Sequence, residues 1–542
     1  MPKRSNASSG CPVSVWVMQD QLHHGLASLV DAPPDAPVLM IENRAWADEV
    51  DHHKQKLVLI YSAMRHFAQE LVQAGRTVDY YALGIRRGAN GFHPTPDGDF
   101  ARCLADHAQR HGTRVVRMVE PSEYRVQAEV RRVVDPLGLS LELIPNNLFI
   151  LSREEFSEWD RSQRELVMEN FYRRMRARTG ILLDEDGLPL EGRWNFDLEN
   201  RVPPMENMEF TPPPSVEPDA ITRQVAAMVE AEFAGHTGST AGFNWPVTAR
   251  DTRAWFQDFL KHRLRLFGMY QDAMVKDSWF MYHSLLSPML NLGLIHPLEC
   301  ARAAEHAYLS GQVPINSAEG FIRQLIGWRE YLYGVYWSRM PEYRENNYFG
   351  FGRDVPELVR HGRTKMTCLK IVLEQTRERG YAHHIQRLMI VGNLFLLLGV
   401  DPRRAIDWFR GAYIDANDWA TVPNVLGMLY FADAGDIGSK PYAVSANYIS
   451  KMSDYCAKCH YRSRKRVGVK SCPYNFLYWN FLSEHHDKLK SNKRMSMVLN
   501  LLRKKSPGEL QLIKRYSQDF MRLLAERGTD SKVAGADHAV LA

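Results

Sequence analysis

The sequence predicts two parts: an α/β domain with a parallel, Rossmann-like sheet over residues 13–150, and a large all-helical domain over 241–526 that carries a four-cysteine site. Three observations lead there. Short apolar runs alternate with helical stripes up to about residue 150, strand signals almost vanish beyond Thr248, and Cys368, Cys456, Cys459 and Cys472 read as C-x2-C-x12-C-P preceded by one distant cysteine.

The strands come first. Val13 to Met18 and Val38 to Glu42 are apolar runs of strand length, followed by Val78 to Leu83, Arg114 to Val119 and Leu141 to Ile144. Between the second and third, Leu57, Ile60, Met64, Phe67 and Leu71 fall three and four apart, which is one face of a helix, and Gly75 stops it. Helical stretches at 98–112 and 124–134 separate the later strands. Strand alternating with helix implies a parallel sheet covered on both faces. No G-x-G-x-x-G follows the first strand, so the usual dinucleotide fingerprint is absent.

Residues 151–240 change character. They are charged and carry Pro203-Pro204 and Pro212-Pro213-Pro214, as expected of a connector running over the surface. Within them Gly192-Arg-Trp-Asn-Phe-Asp197 is too aromatic for a linker and should dock. Beyond it, Trp255 to Met274, Ala318 to Trp337 and Tyr381 to Leu398 read as helices of an aromatic-rich domain. Residues 1–12 are expected to be a flexible leader and 527–542 a disordered tail.

Composition narrows the class. A 45% apolar and 24% charged chain is ordinary for a globular protein, and a net charge of +5 permits a nucleic-acid partner without requiring one. No apolar run is long enough to span a bilayer, and the opening MPKRSNASSGCPVSV lacks a signal-peptide core, so no membrane association and a cytoplasmic location are expected. Cys11, Cys103 and Cys300 are scattered and suggest no disulfide framework.

The four patterned cysteines can hold one iron-sulfur cube, each iron taking one sulfur. Tetrahedral zinc and plain buried thiols are the alternatives. Arg462, Arg464, Lys465, Arg466 and Lys470 crowd the loop between Cys459 and Cys472, a candidate phosphate clamp that can equally be a solvated surface loop. Ser284-Leu-Leu-Ser287-Pro288 lies where one helical segment yields to another, and free N–H groups there can hold phosphate or simply be capped. Gly327-Trp-Arg329-Glu330 adds a cation within an aromatic helix.

Together with Asp20-Gln21-Leu22, His53 to Lys56, Ala63 to Phe67, Glu120 to Arg125, Phe267 to Met274, His383-His384 and Pro423 to Met428, these motifs resemble the photolyase and cryptochrome family. Within it they resemble the iron-sulfur bacterial branch that includes prokaryotic (6-4) photolyases. The resemblance implies a U-shaped FAD in the helical domain, a [4Fe-4S] cluster on Cys368, Cys456, Cys459 and Cys472, and a ribityllumazine antenna, 6,7-dimethyl-8-ribityllumazine, in the first domain. It implies that Ser284, Leu286 and Ser287 line the phosphate and ribityl path, that Arg329 neutralises diphosphate, and that Asp415 and Asn424 edge the flavin ring. His384, with His383 beside it, is then the acid-base group, suited to it because imidazole titrates near neutrality. Leu388 stands where eukaryotic (6-4) enzymes carry a second histidine. Trp408 matches an electron-relay position, whereas Phe409, Asn417 and Thr421 depart from what relatives carry. Asp197 and Asp272 could share Mg2+, or each could merely pair with arginine. The implied function is blue-light-driven repair of (6-4) photoproducts in UV-damaged DNA by a monomer, the lesion being flipped out of the duplex. A photoreceptor without repair activity, a cyclobutane dimer photolyase and a non-photoactive iron-sulfur nucleic-acid-binding protein are the rivals.

Overall fold

A computed structural model describes residues 12–84, 93–94 and 99–530. Residues 1–11 of the expected leader and 531–542 of the expected tail lie outside them. The chain divides into two compact units, residues 1–158 with 215–255 and 286–299, and residues 159–214 with 256–285 and 300–542.

All five expected strands form in the first unit: β1 Val13–Trp16, β2 Val38–Ile41, β3 Val78–Ala82, β5 Val115–Val119 and β6 Ser140–Ile144. A two-residue strand, β4 His93–Pro94, adds to the edge. The order is β4-β3-β2-β1-β5-β6 and every pairing is parallel, for example Val38 with Val78 and Val116 with Leu141. Helices α1 Lys54–Gln73, α2 Phe100–His111 and α3 Tyr124–Val134 supply the crossovers. Gly75 ends α1 as expected, at φ 85°, a conformation that costs glycine little.

The strand order reverses beside β1, and the carboxyl ends of β1 and β5 meet at this switch point, where open α/β sheets commonly bind ligands. Here the crevice is stitched by protein. Buried Gln21 donates from Nε2 to the Val119 carbonyl at 3.2 Å and accepts from the Met18 N–H at 3.2 Å, while Ser122 donates to Asp20. Next to it, buried Glu42 accepts from Arg65 at 2.7 and 3.0 Å, from the Tyr80 hydroxyl at 2.8 Å and from the Leu83 N–H at 2.6 Å. The family-like motifs of this unit therefore hold the strand ends together.

The connector differs from expectation. It contains helices Arg153–Ser162, Met168–Thr179 and Ala220–Glu232, and residues 159–214 belong to the second unit while 215–240 return to the first. Phe171, Tyr172, Val225 and Val229 are buried, so hydrophobic burial outweighs the charged composition that suggested a surface run. The aromatic island docks as its content requires: Phe196 is buried with its N–H on Glu319, and Arg176 lies 5.1 Å from the Trp194 ring centre.

The second unit is helical, as the sequence reading held. Two of its long runs are interrupted by wide π turns. The run 315–339 contains Arg323–Arg329, the run 384–398 contains Arg387–Gly392, and a third π turn, Asn424–Leu429, follows helix Asp418–Pro423. At the end of the chain, helix Pro507–Arg527 runs to the boundary chosen for the tail, and Thr529 and Asp530 beyond it are buried.

Candidate active site

The π turns and their flanks carry four of the expected residues, Arg329, His383, His384 and Asn424. A π turn admits one extra residue per turn and is found disproportionately at functional sites. Arg329 closes the first, His383 and His384 open the short helix His384–Gln386 that leads into the second, and Asn424 opens the third. The last two approach closely: a Cβ built on Gly392 would lie 2.6 Å from Leu429, which explains the glycine.

His383 is fully buried and its N–H donates to Gln386 Oε1 at 3.1 Å. Its ring stacks on His283, centroids 4.5 Å apart and planes 17° apart. Neither His383 ring nitrogen, nor His283 Nε2, finds a hydrogen-bond partner among the described residues. Burial pushes the His383 imidazole well below its usual range, and His283, His384 and Arg387 push it further. Burial takes His283 down to about 3 and His384, with Arg387 opposing its charge, to about 4. His384 nonetheless keeps an exposed surface. Burial and the Arg387 charge thus both favour the neutral form of the His384 imidazole.

Arg387, which the sequence reading passed over, organises this corner. Its guanidinium holds Asp415 bidentately at 2.7 and 3.2 Å and sits 4.1 Å from the Tyr413 ring centre and 5.0 Å from that of Tyr381. Its only signal was four-residue helical spacing from His383. Leu388, next in the chain, is buried. Gln386 continues inward, donating to the Tyr455 hydroxyl at 3.0 Å and exchanging amide hydrogen bonds with Gln375 at 2.8 and 3.2 Å. This buried amide pair joins the histidines to the residue preceding Cys456.

Arg329 is buried, bonded to Glu330 at 2.9 Å and 5.3 Å from the Trp419 ring centre. The diphosphate cation expected there already has a carboxylate partner. Asn424 donates to the Ala420 carbonyl at 2.8 Å. Leu286 is buried and caps the six-residue helix Ser287–Leu292, and Ser284 precedes Leu285, whose φ of 61° turns the chain sharply. Ser284 belongs to the second unit, Leu286 and Ser287 to the first. Trp408 contacts Phe395, Phe409 and Tyr413 edge-on, at 5.2, 5.3 and 5.7 Å between centroids.

A buried guanidinium at Arg329 and a half-buried amide at Asn424 are donors that suit the diphosphate and ring edge of FAD, so the residues present fit it. The cysteines likewise fit a metal cluster. Burial raises the Cys368 thiol strongly, and Cys472, Cys456 and Cys459 all add to it, so the four sulfurs share one neighbourhood. Burial and Cys459 lift Cys456 to about 11. Burial likewise raises Cys472, and thiols so held become thiolates when metal cations replace their protons.

Asp197 is bound by Arg201 and, at 3.0 Å, by Arg323; burial opposes its ionisation, but the two arginines hold the carboxyl below its usual range. Asp272 lies close enough to feel it, and burial plus the Asp197 charge lift it to about 6. Two carboxylates that repel each other fit a divalent ion, although the two arginines compete for the same charge.

In the first unit, Asp79 gathers His107 at 2.8 Å and His111 at 3.0 Å, a group the sequence reading missed although the histidines are four apart on α2. Arg110 and His93 lie 3.5 Å from its other oxygen. With a guanidinium already there, this is a charge knot pinning β3 to α2 and not a cation site.

Comparisons agree with this architecture. The family described as deoxyribodipyrimidine photo-lyase-related protein matches residues 15–245. A solved bacterial class III photolyase from Agrobacterium tumefaciens is similar with a TM-score of 0.55 at 17% identity, covering 96% of this chain and all of that one. A Synechocystis cryptochrome gives 0.52 at 15%, covering 76% and 82%. At these identities the likeness shows the fold alone. In sequence, a (6-4) photolyase of Agrobacterium fabrum is 41% identical over 484 residues, 89% of this chain and 94% of that protein. On that identity and extent, the chain belongs to the photolyase and cryptochrome family, in the branch of the (6-4) photolyases.

Proposed function

We propose that this chain is a blue-light-driven, FAD-dependent DNA photolyase that repairs (6-4) pyrimidine-pyrimidone photoproducts. The observation that carries the reading is the histidine group: an accessible His384 next in the chain to His383, which stacks on buried His283, with the Arg387–Asp415 pair following. FAD, when bound, supplies the light-driven electron to the lesion. His384 holds the proton that the reduced lesion needs before its hydroxyl can return to the neighbouring pyrimidine. Because the resting imidazole is neutral, the proton is taken up when an anionic substrate enters; the negative charge raises the imidazole's proton affinity. His383 and His283 stack on each other in the same corner, and Arg387 holds the Asp415 carboxylate at a fixed place by two hydrogen bonds. Ser284, Leu286, Ser287, Arg329, Asp415 and Asn424 would hold FAD, and the four cysteines a [4Fe-4S] cluster. Asp272, with Asp197, would hold Mg2+ against substrate phosphate. The first unit would carry the lumazine antenna, and the basic loop 462–470 would grip the DNA backbone.

The test is an oligonucleotide bearing one (6-4) thymine lesion, illuminated with blue light in the presence of reductant, for wild type and His384→Ala. Restoration of intact thymines by wild type alone supports both the activity and the role of His384. A flavin-loaded, reduced wild type that leaves the lesion untouched overturns the reading, and turnover of a cyclobutane dimer or of neither lesion then separates the other photolyase class from a photoreceptor.

A further inference from the structure

The end of the described chain is built into the cysteine site. Helix Pro507–Arg527 stops at Gly528, φ 61°, where a Cβ would come within 3.2 Å of Glu357. The chain turns back there and inserts two buried residues, Thr529 and Asp530. Thr529 donates its hydroxyl to the Arg363 carbonyl. The Asp530 carboxylate accepts the Lys365 N–H at 3.0 and 3.3 Å, the Tyr461 hydroxyl at 3.0 Å and a side-chain hydrogen bond from Thr364.

These partners come from the two chain segments that deliver ligands. Residues 363–366 lead into helix Thr367–Arg379, whose second residue is Cys368, and Tyr461 is two residues past Cys459. Cys459 Sγ itself lies 3.8 Å from the Lys365 carbonyl. One carboxylate thus ties the entry to Cys368 to the exit from Cys459, across a sequence separation that no helix or sheet bridges. Each of its three donors is at a buried or half-buried residue and would lose its acceptor if the carboxylate were removed. Tyr461 also opens the basic loop, so the same anchor fixes where 462–470 begins.

We propose that Asp530 is a positioning residue for the metal site, holding the Cys368 and Cys459 segments in register; this rests on the iron-sulfur reading of the four cysteines. Partners outside the ligand set commonly change metal retention by about 10–100-fold when removed.

The experiment uses the full chain, purified without oxygen. Iron, sulfide and FAD per polypeptide are measured, with the rate of iron release to a chelator, for wild type, Asp530→Ala, Asp530→Asn and Phe520→Ala. Phe520 is buried in the same helix against Phe476, so its loss weakens the helix without touching the carboxylate. The expected result is iron release at least about tenfold faster in Asp530→Ala, partial rescue in Asp530→Asn and full FAD content in both, with Phe520→Ala near wild type after matching for thermal stability. Wild-type release from Asp530→Ala, or equal acceleration by Phe520→Ala, overturns the proposal. Should Asp530→Ala not fold, Tyr461→Phe, which deletes one donor, must accelerate release on its own. Wild type free of iron would instead refute the cluster, a separate failure.

Discussion

Replacing His383 with phenylalanine should keep the stack on His283 and remove a titrating group, and its effect on stability should depend on pH. The folded imidazole is held well below the ordinary 6.5 by burial, then by His283, His384 and Arg387, whose own charge is balanced by Asp415. A base with a depressed folded value gives stability that is present above the unfolded value and lost on acidification, because only the unfolded chain takes the proton. At pH 7.5 almost no unfolded His383 is charged. At pH 5.5 about ten in eleven are, which favours unfolding by RT ln 11, about 1.4 kcal/mol, whatever the folded value so long as it lies well below 5.5. Phenylalanine pays none of this. The difference in unfolding free energy, wild type minus variant, should therefore fall by about 1.4 kcal/mol from pH 7.5 to 5.5. Urea unfolding of the FAD-loaded proteins at both pH values measures it, and the subtraction cancels Asp272, whose raised carboxyl acts in the opposite direction. Parallel curves would mean that folding does not lower the His383 pKa, and burial would then not be holding the imidazole neutral.

Other perturbations test other parts. Mg2+ affinity, followed by calorimetry, should fall about tenfold per pH unit below about 6 as Asp272 takes up its proton, and Asp272→Asn should bind weakly at every pH; a pH-independent affinity would remove Asp272 from the site. Glu42→Ala leaves buried Arg65 without its counter-charge and strips Tyr80 and Leu83 of an acceptor, so it should cost about 3–5 kcal/mol in denaturant unfolding, and a loss below about 1 would show that water replaces the carboxylate. Trp408→Phe should slow light-driven flavin reduction several-fold yet leave repair by chemically reduced enzyme unchanged; equal photoreduction rates would take Trp408 out of the electron path.

What could be read from sequence follows from what period and spacing encode. Five strands and their crossovers were visible because buried parallel strands are continuous apolar runs and α1 shows one stripe. The connector was misread because its apolar residues, Phe171, Tyr172, Val225 and Val229, are sparse among charges, and only packing shows that they are core. Asp20 and Gln21, quoted as part of a family motif, bind the ends of β1 and β5, a contact spanning about a hundred residues that no local pattern records. Asp530 was given to the tail for the same reason: its partners are Lys365 and Tyr461.

The π turns explain why the site itself was legible only by motif. Apolar spacing of three and four predicts an unbroken α-helix through 318–337 and 381–398, and continuous helix is nearly what forms. One extra residue per wide turn shifts every later side chain around the axis, so the face presented by Arg329 or by Asn393 is not the one an α-helical wheel assigns. Such turns give up regular i to i+4 bonding, and they persist where side chains are needed at those angles. Charge follows the same logic. Arg329 is matched by Glu330, Arg387 by Asp415 and Arg323 by Asp197, so each of these cations already has a carboxylate partner. On the proposed function, a diphosphate or a lesion phosphate would have to share a guanidinium with a carboxylate, which would lower the gain from charge alone and leave selectivity to geometry.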